Sequence, residues 1–403
     1  MVGHCFMIAS SSFRCIDGDF LHQKNYQRMT SIELLVILLL LVMAVPDMCA
    51  WLKRPALVYP AFVCFGLFVG PMVRPEVANM IREAGEIGFV LLLFEVGLEI
   101  DLPAFRQLWR PWTYVLRWVL PQYPVLLALA RFAGLPWLES FIAAAALSAC
   151  SLGMAHAAWK DYPGLDGHAR NFVLQVMVLL EVLAVVLLAV ETTILGHAPT
   201  WLIILKLTGM ALVIYTCSRI SVHVTKLLQY LLERTTHWQL HFVTLLVLAS
   251  CAVGERCGLS GPKTAFFLGL FASRVRHDGR NLEDCLAPIS RRFLIPLFFT
   301  ALGTQVPLAA LLSRSALLAV VAGALIIAFR QVWHRRFARL GGDEGIYLLL
   351  CPNFTMVALA ASSLLAVPTV PPEFATWLLL TGLMITLVSL VALPVKAVDA
   401  PAH

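Results

Sequence analysis

The chain has 403 residues, 60% of them hydrophobic and 13% charged, and its mean hydropathy is +0.83. A water-soluble fold cannot carry that much apolar surface. A bilayer core about 30 Å thick takes ~20 apolar helical residues per crossing, so the composition predicts an all-α polytopic membrane protein. The formal net charge of +6 comes from short Lys and Arg clusters between apolar stretches; this is loop charge that orients a membrane protein, and no nucleic-acid partner is expected.

The first 28 residues are polar, carry Arg14, Asp17, Asp19, Lys24 and Arg28, and lack the apolar centre of a secretory signal. Met29 opens directly onto the first apolar run, so the tail at 1–30 reads either as an over-extended gene start or as a disordered extension. Apolar runs bounded by charge, Pro or Gly then predict about thirteen helices, at residues 31–50, 56–72, 81–99, 112–133, 137–158, 171–195, 200–218, 239–258, 262–275, 290–307, 314–333, 344–366 and 373–395. The ninth is short and Pro296 interrupts the tenth. The transmembrane unit is expected over 31–395, followed by a short cytoplasmic tail at 396–403. Basic residues crowd the loops of one side, above all Arg274, Arg276, Arg280, Arg291 and Arg292, and Arg330, Arg335, Arg336 and Arg339, of which Arg330 can also be placed within the membrane without changing the sign. That asymmetry predicts an outside N-terminus and an inside C-terminus, in a plasma (inner) membrane. Ten cysteines lie scattered, mostly in apolar segments, without metal-ligand or paired spacing; they read as small buried hydrophobes, and no metal site is expected. Neither a phosphate loop nor a nucleophile-base motif suggests an enzyme.

An ionisable side chain in a membrane helix costs several kcal/mol or more unless it faces protein or water, so each is a candidate for function. The set is Glu95, Arg117, Glu181, Glu191, Lys206, Glu255 and Arg330. Arg117, Glu191 and Lys206 lie near enough to helix ends to snorkel. Glu181 does not, because apolar residues fill 176–180 and 182–190 on either side. Arg330 closes the neutral run 319–329, from which its guanidinium can reach back to a carboxylate. Glu95 is either a second proton site or a structural partner of Arg330 or Arg117. Two predicted helices also carry breaks: Ser148, Cys150, Ser151 and Gly153 interrupt the fifth, and Pro352, Asn353 and Thr355 the twelfth. Pro removes a backbone donor and Gly eases departure from helical geometry. Small residues can simply let helices approach closely; broken helices at membrane depth can instead line a cavity and bind a cation through exposed carbonyls. The breaks fall seven helices apart, as matching positions in two halves would, which favours the second reading.

These residues resemble the monovalent cation:proton antiporters over most of 31–395. The best match is the stretch 85–99, Gly-Glu-Ile-Gly-Phe-Val-Leu-Leu-Leu-Phe-Glu-Val-Gly-Leu-Glu, which is similar to that family's third helix. Pro55, Ala56 and Leu57 with Gly66, Gly70 and Pro71 resemble its preceding helix. Glu255, Gly258, Leu259, Ser260, Ala265, Phe266 and Gly269 resemble its eighth and ninth, and Pro296, Leu297, Phe298, Phe299 and Gly303 its tenth. The resemblance implies an inverted-repeat fold of about thirteen helices, two of them broken and crossed, with a core bundle that moves against a dimerising panel, and hence a homodimer in membrane lipid. It also implies a sixth-helix pair, acidic or Asn-Asp or Gln-Asp, whose second member binds the ion and the proton. Here that pair is Leu180-Glu181: the carboxylate is kept, one methylene longer, and its neighbour is apolar. Arg330 stands where the family often has a Lys, and Asn353-Phe354-Thr355 where some relatives show Arg-Gly-Glu.

The expectation is a secondary transporter that exchanges Na+ or K+ for protons without a cofactor. Glu181 would hold proton or cation in turn, Ser148, Cys150, Ser151, Asn353 and Thr355 would complete the ion site, and Arg330 would be the charge partner. One carboxylate shared by one ion and one proton gives electroneutral exchange, since Arg does not deprotonate in proteins. Two alternatives stand beside it: a transporter of another solute, such as an organic anion held by Arg330, and a non-transporting sensor or assembly protein in which Glu181 and Arg330 form a buried salt bridge.

Overall fold

The computed structural model describes residues 31–52, 54, 57–99, 109–160, 162–195, 239–256, 261–272, 276–277, 280–281, 286, 289–306, 308–337, 340, 344–365 and 370–394. The predicted seventh helix at 200–218, with Lys206, lies outside them, as do both tails. The α-helices are α1 (Ser31–Trp51), α2 (Val58–Val69), α3 (Pro75–Glu99), α4 (Trp109–Phe132), α5 (Trp137–Ser148), α6 (Leu152–Lys160), α7 (Gly167–Leu195), α8 (Gln239–Arg256), α9 (Gly261–Ala272), α10 (Ile295–Thr304), α11 (Arg314–Arg336), α12 (Phe354–Leu365) and α13 (Pro372–Ala392). A two-residue antiparallel ladder pairs Arg276 with Asn281 and His277 with Arg280. Among the described residues, five stretches are long and apolar enough to cross a membrane: Trp137–His156, Gly167–Glu191, Arg314–Arg336, Ile346–Leu365 and Pro372–Ala392.

Packing sorts the helices into two bodies. In the first, a panel, α2 crosses α10, α3 lies against both α9 and α10, and α8 packs on α9. The second, a core, joins α4, α5, α6 and α7 to α11, α12 and α13, with α5 against α12 at its centre. The bodies touch where α3 meets α6 and α2 meets α13. Lipid gives helices no hydrophobic reason to associate, so contact in the panel depends on small residues that admit a neighbouring backbone. A side-chain carbon on Gly66 would collide with the Thr300 carbonyl, and one on Gly303 with the Val63 carbonyl. Gly88 meets Leu294 O and Gly269 meets Phe94 O in the same way.

Local chemistry sets the irregularities. Gly134 adopts φ +97° after α4, and Leu135 N donates to Ala130 O at 3.1 Å, a left-handed cap that turns the chain antiparallel into α5. The predicted tenth helix changes geometry beside Pro296: a π-helical turn at Ser290–Leu294 runs directly into α10, with Pro296 in its first turn. Arg54, between α1 and α2, donates to Leu390 O at 3.0 Å and Leu393 O at 2.6 Å, closing the last turn of α13.

Candidate functional site

The two sequence breaks come together inside the core. α5 stops at Ser148, Ala149 is extended at φ −66° and ψ 163°, and the helix resumes as α6 at Leu152. Opposite, a 3-10 turn at Ile346–Leu350 ends, and α12 starts at Phe354 after Cys351, Pro352 and Asn353. Gly153 is not the breaking residue, because it lies in the first turn of α6; the interruption is 149–151. Ser151 N donates to Pro352 O at 2.6 Å, Thr355 Oγ1 to Ser151 Oγ at 2.6 Å, and Cys150 Sγ to Leu349 O at 3.4 Å. Asn353 gives its Nδ2 to Leu147 O at 3.0 Å and its backbone N–H to Thr386 Oγ1 at 3.3 Å. Each break thus supplies partners for backbone groups that the other has exposed, which is how non-helical backbone survives at membrane depth.

Helix dipoles give the crossing a pattern of charge: the starts of α6 and α12 are partly positive, and the ends of α5 and the 3-10 turn partly negative. Glu181, on α7, is fully buried, and its Oε2 accepts from Leu152 N, the first residue of α6, at 3.1 Å. A carboxylate therefore rests on a positive half-helix end. Arg330, also fully buried, serves the negative ends. It donates to Leu147 O at 2.6 Å and to Cys351 O at 3.4 Å, while its Nε donates to Gln122 Oε1 at 2.8 Å.

The carboxylate partner expected for Arg330 is therefore replaced by two carbonyls and an amide, because two chain segments end there with acceptors that no following helical N–H reaches. Gln122 was not singled out in the sequence, although it is a polar residue between Pro121 and Pro124 in the uncharged stretch 118–130 of its helix. Its Nε2 donates to Trp118 O at 2.7 Å, fixing the oxygen that Arg330 uses.

The structure brings together Glu181, Cys150, Ser151, Asn353, Thr355 and Arg330. Ser148 lies beside them but turns its hydroxyl back onto Ala145 O at 2.9 Å. Asn353 Oδ1 is buried with no hydrogen-bond partner, an acceptor aimed at nothing on the protein. Glu95 lies apart, in the panel, where Arg291 Nε meets its Oε2 at 2.8 Å and Ser290 Oγ donates to its Oε1. Its partner is thus neither Arg330 nor Arg117, both of which belong to the core. Glu191 does not snorkel: it is 8% exposed and accepts from Tyr123 OH at 3.0 Å. Arg117 is exposed, as expected.

A cavity of about 620 Å3 opens between the bodies, with Glu83 and Glu86 of α3, Glu255 of α8 and Gln305 on its walls. It reaches Ala358 and Leu359 of α12, one turn from Thr355. No group of three or more metal-ligating side chains occurs among the described residues.

Comparison with known proteins agrees with this architecture. The sequence model described as "Sodium/hydrogen exchanger, transmembrane" matches residues 36–395. The Bacillus cereus protein named "Probable Na(+)/H(+) antiporter GerT" is 23% identical over 278 residues, 68% of this chain and 73% of that protein. "Probable Na(+)/H(+) antiporter 3" of Methanocaldococcus jannaschii is 22% identical over 350 residues, 81% and 86% of the two chains. A solved structure of the sodium proton antiporter MjNhaP1 from the same organism, at pH 8, aligns with a TM-score of 0.62 at 15% identity, covering 90% of this chain and 95% of that one. With its crossed broken helices and its match over 36–395, the chain belongs to the sodium/hydrogen exchanger family of multi-pass membrane transporters.

Proposed function

We propose that this protein exchanges Na+ or K+ for protons, one for one, at Glu181. The observation that carries the reading is a fully buried carboxylate on the N-terminus of a half-helix, beside a crossing where Asn353 Oδ1 has no protein partner. A buried carboxylate resists standing as a bare charge, so it holds either a proton or a cation. Asn353 Oδ1, Ser151 Oγ and Thr355 Oγ1 are hard oxygen donors of the kind an alkali cation prefers, with Ser148 and Cys150 as their close neighbours. Arg330 keeps its charge throughout and spends it on the carbonyl ends of the broken segments. Leu180 adds no second carboxyl. The loaded site then carries the same charge with either occupant, which makes exchange electroneutral.

The rival readings gain no support from the geometry. The Arg330 guanidinium already gives three of its five N–H donors to protein acceptors at the broken segments and α4, so its charge is engaged there. A structural Glu181–Arg330 bridge is not among those contacts. The unit is further proposed to work as a homodimer through its panel, in a plasma (inner) membrane, with residues 31–395 as the transport unit and the N-terminus outside.

Proton flux in sealed proteoliposomes, with Na+, K+ or Li+ offered in turn, tests the proposal. Wild-type protein is expected to move protons against Na+ or K+ at a rate indifferent to an imposed potential, and Glu181→Gln to lose at least 100-fold of that flux at an unchanged melting temperature. Voltage-driven transport at clamped pH would refute the stoichiometry. Full activity in Glu181→Gln would refute the site.

A further inference from the structure

We propose that a groove between α4 and α11, on the surface of the core, binds an anionic phospholipid. The groove encloses about 460 Å3 and is lined by Leu116, Arg117, Leu120 and Pro121 of α4 with Trp333 and Phe337 at the end of α11. Its depth in the bilayer follows from one hydrogen bond. Pro121 has no N–H, so the carbonyl of Arg117, four residues earlier, loses its helical donor; Trp333 Nε1 supplies one at 3.0 Å. Arg117 is thereby level with the last turn of α11, the depth at which Trp and Arg meet lipid headgroups.

Charge and shape then select the occupant. Arg117 is exposed, and so are Arg110, seven residues earlier on the same face of α4, and Arg336, beside Phe337. None of the three is in an ion pair among the described residues, whereas nearby Arg335 is held by Glu344 at 2.7 Å. Uncompensated guanidinium groups at a bilayer edge are costly, and a phosphodiester answers their planar fork with two oxygens. Below the charges the walls are apolar. Phe329, Trp333 and Phe337 stack in sequence, at 5.9 Å and 9° between planes for the first pair and 4.5 Å and 28° for the second, a rigid flank for an acyl chain. A protein in a bilayer meets such a groove with lipid, and the positive charge of Arg117 in its wall, with Arg110 and Arg336 exposed on the same two helices, selects an anionic one.

The test compares phosphatidylglycerol with phosphatidylcholine of the same acyl chains, added to the delipidated full-length protein in detergent. Phosphatidylglycerol is expected to raise the melting temperature and to remain bound in native mass spectrometry, with retention falling at least tenfold in Arg117→Gln and less in Arg117→Lys. Brominated phosphatidylglycerol should quench a tryptophan signal that Trp333→Phe removes. Should Arg117→Gln fail to fold, the exposed pair Arg110→Gln/Arg336→Gln gives the same readout and is expected to lose retention. Glycerol phosphate without acyl chains should not compete, since the apolar walls contribute to binding. Equal retention of the two lipids, retention unaffected by the arginine variants, or bromine quenching independent of Trp333 would each overturn the assignment.

Discussion

At position 330 one guanidinium does the work that several backbone donors do in an unbroken helix. Its three acceptors, Gln122 Oε1, Leu147 O and Cys351 O, come from three different elements. Removing it would leave Gln122 Oε1 and Cys351 O buried without a donor, Leu147 O keeping that of Asn353 Nδ2, and would remove the positive charge opposing two helix ends. A loss of about 3–5 kcal/mol is expected for Arg330→Met, read as a lower melting temperature in detergent whether or not transport is measured. Arg330→Lys should fall between, because an ammonium is a point charge and cannot span three acceptors in one plane. The sequence exposed Arg330 and Glu181 equally well, since any ionisable residue in an apolar run stands out. It misled about what each would meet: attraction between opposite charges suggested a bridge, whereas half-helix ends, invisible in a linear pattern, bind both groups separately.

At the scale of the element, the breaks were legible because Pro, Asn, Ser and Thr interrupt apolar runs at places seven predicted helices apart. Their fine structure was not. Ser148, Cys150 and Ser151 marked the place where the helix does break, but Gly153 belongs to the first turn of α6, and the interruption at 149–151 is sustained by bonds to Pro352 and Leu349 from the other half. Close approach in the panel was similarly hidden: Gly66 and Gly303 fitted a family pattern, but only their placement shows each glycine facing a carbonyl of the opposite helix. Gly66→Val should push α2 and α10 apart and cost about 1–3 kcal/mol or more, seen as a fall in melting temperature and in the yield of folded protein. The carboxylate chemistry in the core should be retained in whatever fraction folds.

Taken as a whole, the molecule is two internally packed bodies with a seam between them, and the family fold was foreseeable from the third-helix pattern and the spacing of the helices. Glu95 marks the limit of that foresight. Its partner Arg291 lies 196 residues away, and nothing local announces a contact of that range. The proposed mechanism has a signature at this scale too. If a proton and a cation compete for one carboxylate, the apparent KM for the cation should rise by about tenfold for each unit of pH lowered once protons dominate the site, with the maximal rate at saturating cation unaffected. Initial rates across a pH series at several cation concentrations would measure it. A KM independent of pH would mean that proton and cation occupy different groups.

Arg54 belongs to the chain between α1 and α2, while the carbonyls it holds belong to the final helix of the other body. If the core slides in each transport cycle, this side chain is a mooring line: it must slip its two carbonyls, hand them to water, or drag its loop along. Hydrogen bonds from a charged donor contribute about 1.5–3 kcal/mol each, enough for a single residue far from the ion to bias which face of the membrane the empty carrier prefers.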